Sequence, residues 1–237
     1  MTAAMLLLHD VTCDLVGARG HVRALDRVSL AVEPGELVAV MGPSGSGKST
    51  MVHVATGAIR PTWGSVRIEG EEPPSGRPAR DWWAAHRRRT LGVVDQRLNL
   101  VPGLPVLDNV ALPLLLDGER RGTAHDLAGL ALDTTGVGHL ARALPEELSF
   151  GEQQRVAIAR AVVGPRRLVL ADEPTASLDT VNAEAITELL ARLAGAGKAV
   201  LFTTHDSRLA SWADRVVMLR DGRVGPPARP VALEASP

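Results

Sequence analysis

The stretch ELVAVMGPSGSGKSTMVHVATG, residues 36–57, restricts the fold of this chain more than any other. The apolar run ELVAVMG reads as a short buried strand, and GKSTMVHVATG begins a helix that Gly57 can close. Between them GPSGSGKST, Gly42–Thr50, fits the phosphate-loop pattern in the strand-to-helix context that makes it specific. Gly42, Gly45 and Gly47 let the backbone wrap closely around phosphate oxygens, while Pro43, Ser44, Ser46 and Thr50 complete the loop. Inward N–H groups and the helix N-terminus supply positive potential. Lys48 adds a point charge for the β- and γ-phosphates, and Ser49 a hydroxyl for Mg²⁺, a cation that takes hard oxygen ligands. A glycine-rich turn that merely capped a helix would not require Lys and then Ser in register.

Around this unit apolar segments alternate with helical patterns, which predicts an α/β architecture with a mostly parallel, covered sheet. LLLHDVTCDL reads as a first strand, GSVRIEG as a strand with a turn at each end, and EEPPSGRPAR as a surface loop before a short helix at DWWAAHRRR. The Arg87, Arg88 and Arg89 run reads as a solvated face, or as a contact with a partner or with lipid headgroups. Residues of about 97–163 read as mostly helical before apolar strands return in RRLVLADEP and KAVLFTTH, so a helical subdomain is inserted into one sheet domain spanning 1–237. A DG turn in VVMLRDGRV predicts a terminal hairpin, and the tail 225–237 reads as loosely held.

With 237 residues, 45% of them hydrophobic, the chain can bury a sizeable core. Its formal net charge of -1 gives no whole-molecule footprint for nucleic acid, so any anion site must be local. One cysteine, Cys13, excludes an internal disulfide and reads as a small buried hydrophobe of an intracellular chain. The apolar start lacks a basic flank and reads as a strand rather than a signal peptide, and no apolar run approaches the roughly 20 residues that cross a bilayer.

LVLADEP, Leu168–Pro174, is an apolar strand ending in two carboxylates. Alone, such a pair is a turn or a helix cap. Beside a phosphate loop, Asp172 is placed to hold Mg²⁺ through its water shell and Glu173 to polarise an attacking water as general base.

From about Leu6 to Val224 the chain resembles the ATP-binding cassette (ABC) family, the ATPase subunits of transporters, with the family motifs in order. VVDQRLNL puts Gln96 where the family's Q-loop glutamine contacts Mg²⁺ and water. LSFGEQQRVAIARA occupies the signature position with Ser149, Gly151 and Glu152, ASLD puts Asp179 in the D-loop, and LFTTHD puts His205 as the switch histidine. The resemblance implies a P-loop, RecA-like core with an N-terminal antiparallel β portion and an inserted helical subdomain. It implies a homodimer or pseudo-dimer closed around two ATP molecules with Mg²⁺, in which Ser149, Gly151, Glu152 and Asp179 meet the nucleotide held by the other copy. It further implies an integral-membrane transporter subunit as partner and a cytoplasmic location, peripheral on the inner face of the membrane.

LVPGLPVLDNVALPLLLDG and the near-minimal length are most similar to the lipoprotein-release, macrolide-efflux and cell-division group, so a cell-division ATPase that regulates a membrane partner without transport is the alternative. Two departures stand out. The family's adenine-stacking aromatic is replaced by Leu15 or Val16 in a chain without tyrosine, and Phe150 replaces the signature's first glycine, with Glu152 for glutamine. The first implies weaker nucleotide affinity or looser base choice. A ribosome-binding cassette protein would carry two cassettes and a chromosome-organising or DNA-repair ATPase a long coiled coil, neither of which reads in this sequence, while a phosphate-loop kinase or GTPase would lack the signature, D-loop and switch histidine together. Glu173 and His205 argue against a degenerate, poorly hydrolysing subunit.

Overall fold

The computed structural model describes residues 4–17, 20–76 and 78–225; most of the tail, residues 226–237, lies outside them. Two sheets organise the molecule. The first is antiparallel and three-stranded, in the order β2-β1-β4: β1 (Leu6–Gly17), β2 (Gly20–Val32) and β4 (Trp63–Ile68). The second has six strands in the order β5-β6-β7-β3-β8-β9: β3 (Leu37–Met41), β5 (Leu91–Val94), β6 (Leu168–Ala171), β7 (Ala199–Thr204), β8 (Arg215–Arg220) and β9 (Arg223–Val224). The pairs from β5 to β8 are parallel, and only β9 runs antiparallel.

The central strands read as unbroken apolar runs because both of their faces are covered. Val38 and Val40 of β3, Leu168 and Leu170 of β6 and Leu201 of β7 pack toward the antiparallel sheet and α1 (Lys48–Ala55), in a core that includes Cys13 and Met51. Their neighbours Ala39, Val169, Ala171, Val200 and Phe202 face the other way, into a core shared with α3 (Val106–Leu116), α4 (Arg121–Thr134), α5 (Phe150–Val162) and α6 (Thr180–Gly195). Between β5 and β6 the chain therefore runs through α3, α4 and α5, and their apolar faces are continuous with the sheet's own core.

Local chemistry sets the ends of these elements. Gly57 takes φ 69 just past α1, as a helix-closing glycine does. Asp221 and Gly222, at φ 49 and 74, form the tight turn of the β8–β9 hairpin. Helix α2 (Pro78–Arg89) starts three residues before the expected DWWAAHRRR segment, because proline is well tolerated in a first helical turn.

The arginine run at its end is not uniformly solvated. Arg88 and Arg89 both bond the Asp117 carboxylate, at 3.1 and 2.9 Å, and Arg87 donates to the Thr56 carbonyl at 3.0 Å. Asp117 follows α3, a partner that no local pattern in the run reveals.

Candidate functional site

Strand order brings the distant motifs to one edge. β3, β5, β6 and β7 are parallel and in register, Val94 beside Ala171, Ala171 beside Phe202 and Met41 beside Thr204. Whatever follows each strand therefore emerges at the same carboxyl-terminal edge: the Gly42–Thr50 loop after β3, Gln96 after β5, Asp172 and Glu173 after β6, and His205 after β7.

The loop is tightly held. A side chain at Gly42 would collide with the Leu219 carbonyl, and one at Gly47, at φ 107, with the Ala24 carbonyl. Gly222 of the β8–β9 turn donates its N–H to the Ser46 carbonyl at 3.0 Å. Gly47 precedes α1 without any side-chain cap, so the helix opens toward the loop with its first N–H groups uncapped by a side chain. The Ser46 hydroxyl is buried and has no hydrogen-bond partner among the described residues.

Charges at this edge are buried and mutually held. Lys48 is 5% exposed, its Nζ donating to the Gly42 and Pro43 carbonyls at 2.8 and 3.1 Å and lying 3.4 Å from Glu173 Oε1. Asp172, 4% exposed, accepts a 2.7 Å bond from the Thr203 hydroxyl, and that oxygen accepts the Glu173 N–H at 2.8 Å. Glu173 itself sits at φ 46, a left-handed conformation costing roughly 1–2 kcal/mol for a residue with a side chain. Ser49 is exposed at the first turn of α1; Gln96 and His205 are exposed at their strand ends and bond no phosphate-loop group among the described residues.

A second cluster gathers the remaining predicted residues. Ser149 caps α5 in a reciprocal box: its hydroxyl accepts the Glu152 N–H, and Glu152 Oε2 accepts the Ser149 N–H at 2.8 Å. The hydroxyl also donates to Glu152 Oε2 at 2.7 Å, and these bonds hold the Glu152 carboxyl below its ordinary pKa. Asp179 caps α6 through the Asn182 N–H at 2.9 Å and its side-chain amide at 2.8 Å, and its pKa is likewise lowered, chiefly by that backbone bond. A Cβ on Gly151 would lie 3.5 Å from Asn182 Oδ1, so the two helix starts are neighbours. Among the described residues no hydrogen bond or ion pair joins this cluster to the loop edge.

Two contributors escaped the sequence reading. Thr203, a fully buried hydroxyl in a mostly apolar strand, orients both carboxylate residues; its polarity there was the available signal. Arg160 of α5 donates to the carbonyls of Leu98 and Asn99, consecutive residues at φ 43 and 51 just beyond Gln96, and burial lowers its pKa. No local pattern signals that link.

Known proteins resemble the chain across both clusters. A family model described as ABC transporter matches residues 25–176. The macrolide export ATP-binding/permease protein MacB of Rhodospirillum rubrum is 43% identical over 203 residues, which are 86% of this chain and 31% of that protein. The chain spans only 31% to 37% of the length of such macrolide-export relatives. The lipoprotein-releasing system ATP-binding protein LolD of Shewanella denitrificans is 40% identical over 223 residues, 94% of this chain and 92% of LolD. A dimeric structure of MJ0796, a bacterial ABC transporter cassette, matches with a TM-score of 0.86 and 35% identity, covering 97% of this chain and all of that one. The same cassette in a dimeric post-hydrolysis state with ADP and Pi matches at 0.85. With the phosphate loop, the carboxylate strand end and both helix caps inside these matches, the chain belongs to the ABC transporter family, as one of its ATPase domains.

Proposed function

We propose that this domain binds and hydrolyses Mg-ATP at the carboxyl-terminal sheet edge, in a dimer that sandwiches two nucleotides. The observation that carries the reading is the ion pair between buried Lys48 and half-buried Glu173, which joins the loop to the strand-end carboxylate at 3.4 Å. The residues present fit the nucleotide. The Ser46 hydroxyl is a buried donor whose isolation costs roughly 1–3 kcal/mol, and a phosphate oxygen would satisfy it. The glycines at 42 and 47 leave room where side chains would collide with backbone, and the uncapped start of α1 favours an anion.

In this reading Lys48 exchanges its two carbonyl acceptors for β- and γ-phosphate oxygens, which frees Glu173 to take the proton of the attacking water. Thr203 fixes the carboxylate of Asp172 and, through its bond to the Glu173 N–H, the backbone that aims the base. Magnesium would be held by Ser49, Asp172 and Gln96 and supplies charge neutralisation on the phosphates. His205 senses the γ-phosphate. Ser149, Gly151, Glu152 and Asp179 meet the nucleotide of the other copy, so neither half is complete alone.

The partner we propose is an integral-membrane transporter subunit, moved as the dimer closes and reopens, with the domain peripheral at the inner membrane face. No described helix is long and apolar enough to cross a membrane, and LolD, matched over 92% of its length, is the ATP-binding protein of a lipoprotein-releasing system.

Glu173→Gln tests the assignment. It keeps the shape and removes the base, so turnover will be abolished while ATP binding persists and an ATP-dependent dimer accumulates in size-exclusion chromatography. Undiminished hydrolysis would remove Glu173 from its role.

A further inference from the structure

Aromatic residues make up only 3% of this chain, yet two of its four tryptophans line one groove and a third adjoins it. The groove, about 1510 Å³, lies between the end of α1, the start of β4 and α2. Its floor is fixed. The Trp83 ring covers Gly57, where a side chain would collide with it, and meets Trp82 edge-on at 4.9 Å; Trp82 in turn stacks on His86 at 3.6 Å. Trp63, by contrast, is 73% exposed at the mouth.

The charges around this groove do not cancel. Arg60 and Arg80 are exposed and make no hydrogen bond or ion pair among the described residues. Among the described residues Arg87 has only the Thr56 carbonyl as acceptor. Two carboxylates also line the groove. Glu72 is bound to Arg67 at 2.7 Å, and Asp81 lies in the first turn of α2, where the helix dipole favours an acid. The uncompensated charge is therefore positive, carried by guanidinium groups whose planar donors suit phosphate oxygens.

We propose that this groove is a docking face for an anionic phospholipid surface, with Arg60, Arg80 and Arg87 on headgroup phosphates and Trp63 at headgroup level. An exposed indole beside arginines is the composition of proteins at membrane–water interfaces, where the ring lies among headgroups and the cations face an anionic leaflet. The groove is at the far end of α1 from Lys48, eight residues or about 12 Å along the helix, so a docked membrane leaves the phosphate loop open. The proposal stands apart from the nucleotide reading and survives its failure.

Vesicle co-sedimentation of the full chain tests it. The protein will sediment with vesicles of phosphatidylcholine mixed with phosphatidylglycerol and stay in solution with phosphatidylcholine alone. Added salt will weaken the binding, since charges beyond a Debye length of about 10 Å at 0.1 M are screened. Arg60→Ala with Arg80→Ala will weaken it by about 25-fold, roughly fivefold for each cation removed. Trp63→Ser will weaken it further. Because Arg60 and Arg80 are exposed and bond nothing among the described residues, the double variant will keep the wild-type melting temperature and ATP affinity. Equal partitioning onto both vesicle types, or an unchanged affinity in the double variant, would overturn the proposal. So would a wild-type protein that ignores both vesicles yet is retained on immobilised polyglutamate, which would assign the face to an acidic protein segment.

Discussion

The phosphate-loop edge and the α5/α6 cluster are both polar, but they are built on opposite principles. At the loop, Lys48 and Asp172 are almost fully buried and each is held by another group, so removing one partner strands a desolvated charge. At the α5 and α6 starts, Glu152 is half-buried and Asp179 exposed, and among the described residues both bond only their own first turns. The first arrangement is finished within one copy. The second is finished as a pair of helix caps, yet presents its N-termini outward, the form expected of a surface that completes a site on another molecule.

Two glycine substitutions separate these regions most sharply. Gly47→Ala puts a side chain at φ 107 against the Ala24 carbonyl, and single-copy ATP binding will be lost with it. At Gly151→Asp an added Cβ meets only ordinary contacts, 3.5 Å from Asn182 Oδ1, at an exposed helix start, so the fold and single-copy ATP affinity will stay near wild type. Turnover, however, will fall by at least about a hundredfold, the scale for losing one backbone donor on a developing charge. Calorimetry beside a steady-state ATPase assay reads both variants. If Gly151→Asp lost ATP binding in the monomer, the two regions would not be independent.

The next largest effect concerns the base. Leu15 pairs with Val22 across the β1–β2 hairpin and is half-buried, while Val16 and Val22 are exposed. If the base lies on this aliphatic edge, Leu15→Tyr will tighten ATP binding by roughly 1–3 kcal/mol, the value of one aromatic stack. It will leave inorganic triphosphate binding unchanged. An equal gain for both ligands would place the base elsewhere.

These contrasts also show what the sequence could reveal. The loop, the DEP strand end, the DG hairpin and the Ser149–Glu152 box were legible because each is written within ten residues and obeys local rules. A mostly parallel sheet followed from the alternation of strands and helices, but the strand order that gathers Gln96, Asp172 and His205 at one edge was not written locally, since strand order is a long-range property. Features that depend on packing were not legible. The left-handed backbone of Glu173, the clasp of Arg88 and Arg89 on Asp117 and the seat of Trp83 on Gly57 all join segments whose pairing no local pattern declares.

Acid sharpens the comparison further. Glu152 and Asp179 both have pKa values lowered in the fold, from 4.5 and 3.8, through bonds to their own helix starts. A depressed carboxyl contributes stability above its unfolded pKa and loses it as pH falls through the folded value. The stability gap between wild type and Glu152→Gln will therefore be constant from pH 7 to about 5 and will close below about 4.5. Urea melts at stepped pH read this directly. A gap that widened in acid would mean that the carboxyl is held by something other than its cap.

The smallest expected effect lies at Phe150, the residue that makes this segment look damaged. Phe150 opens α5 as an ordinary right-handed helical residue and is 40% exposed, while the groups assigned to the partner's nucleotide, the Ser149 hydroxyl and the Gly151 N–H, flank it intact. A glycine there gains nothing from its freedom to adopt positive φ, because the position does not use it. Phe150→Gly will cost under about 1 kcal/mol of helix stability. It will change turnover by no more than about fivefold, equivalent to ~1 kcal/mol in the barrier. Single-copy ATP affinity will not move, since Phe150 is in the cluster that one copy does not bring to its own loop. A rise in turnover by orders of magnitude would instead identify Phe150 as an obstruction at the dimer face. The α5 start would then be a defective half-site, and the symmetric two-nucleotide dimer would have to be abandoned for this domain.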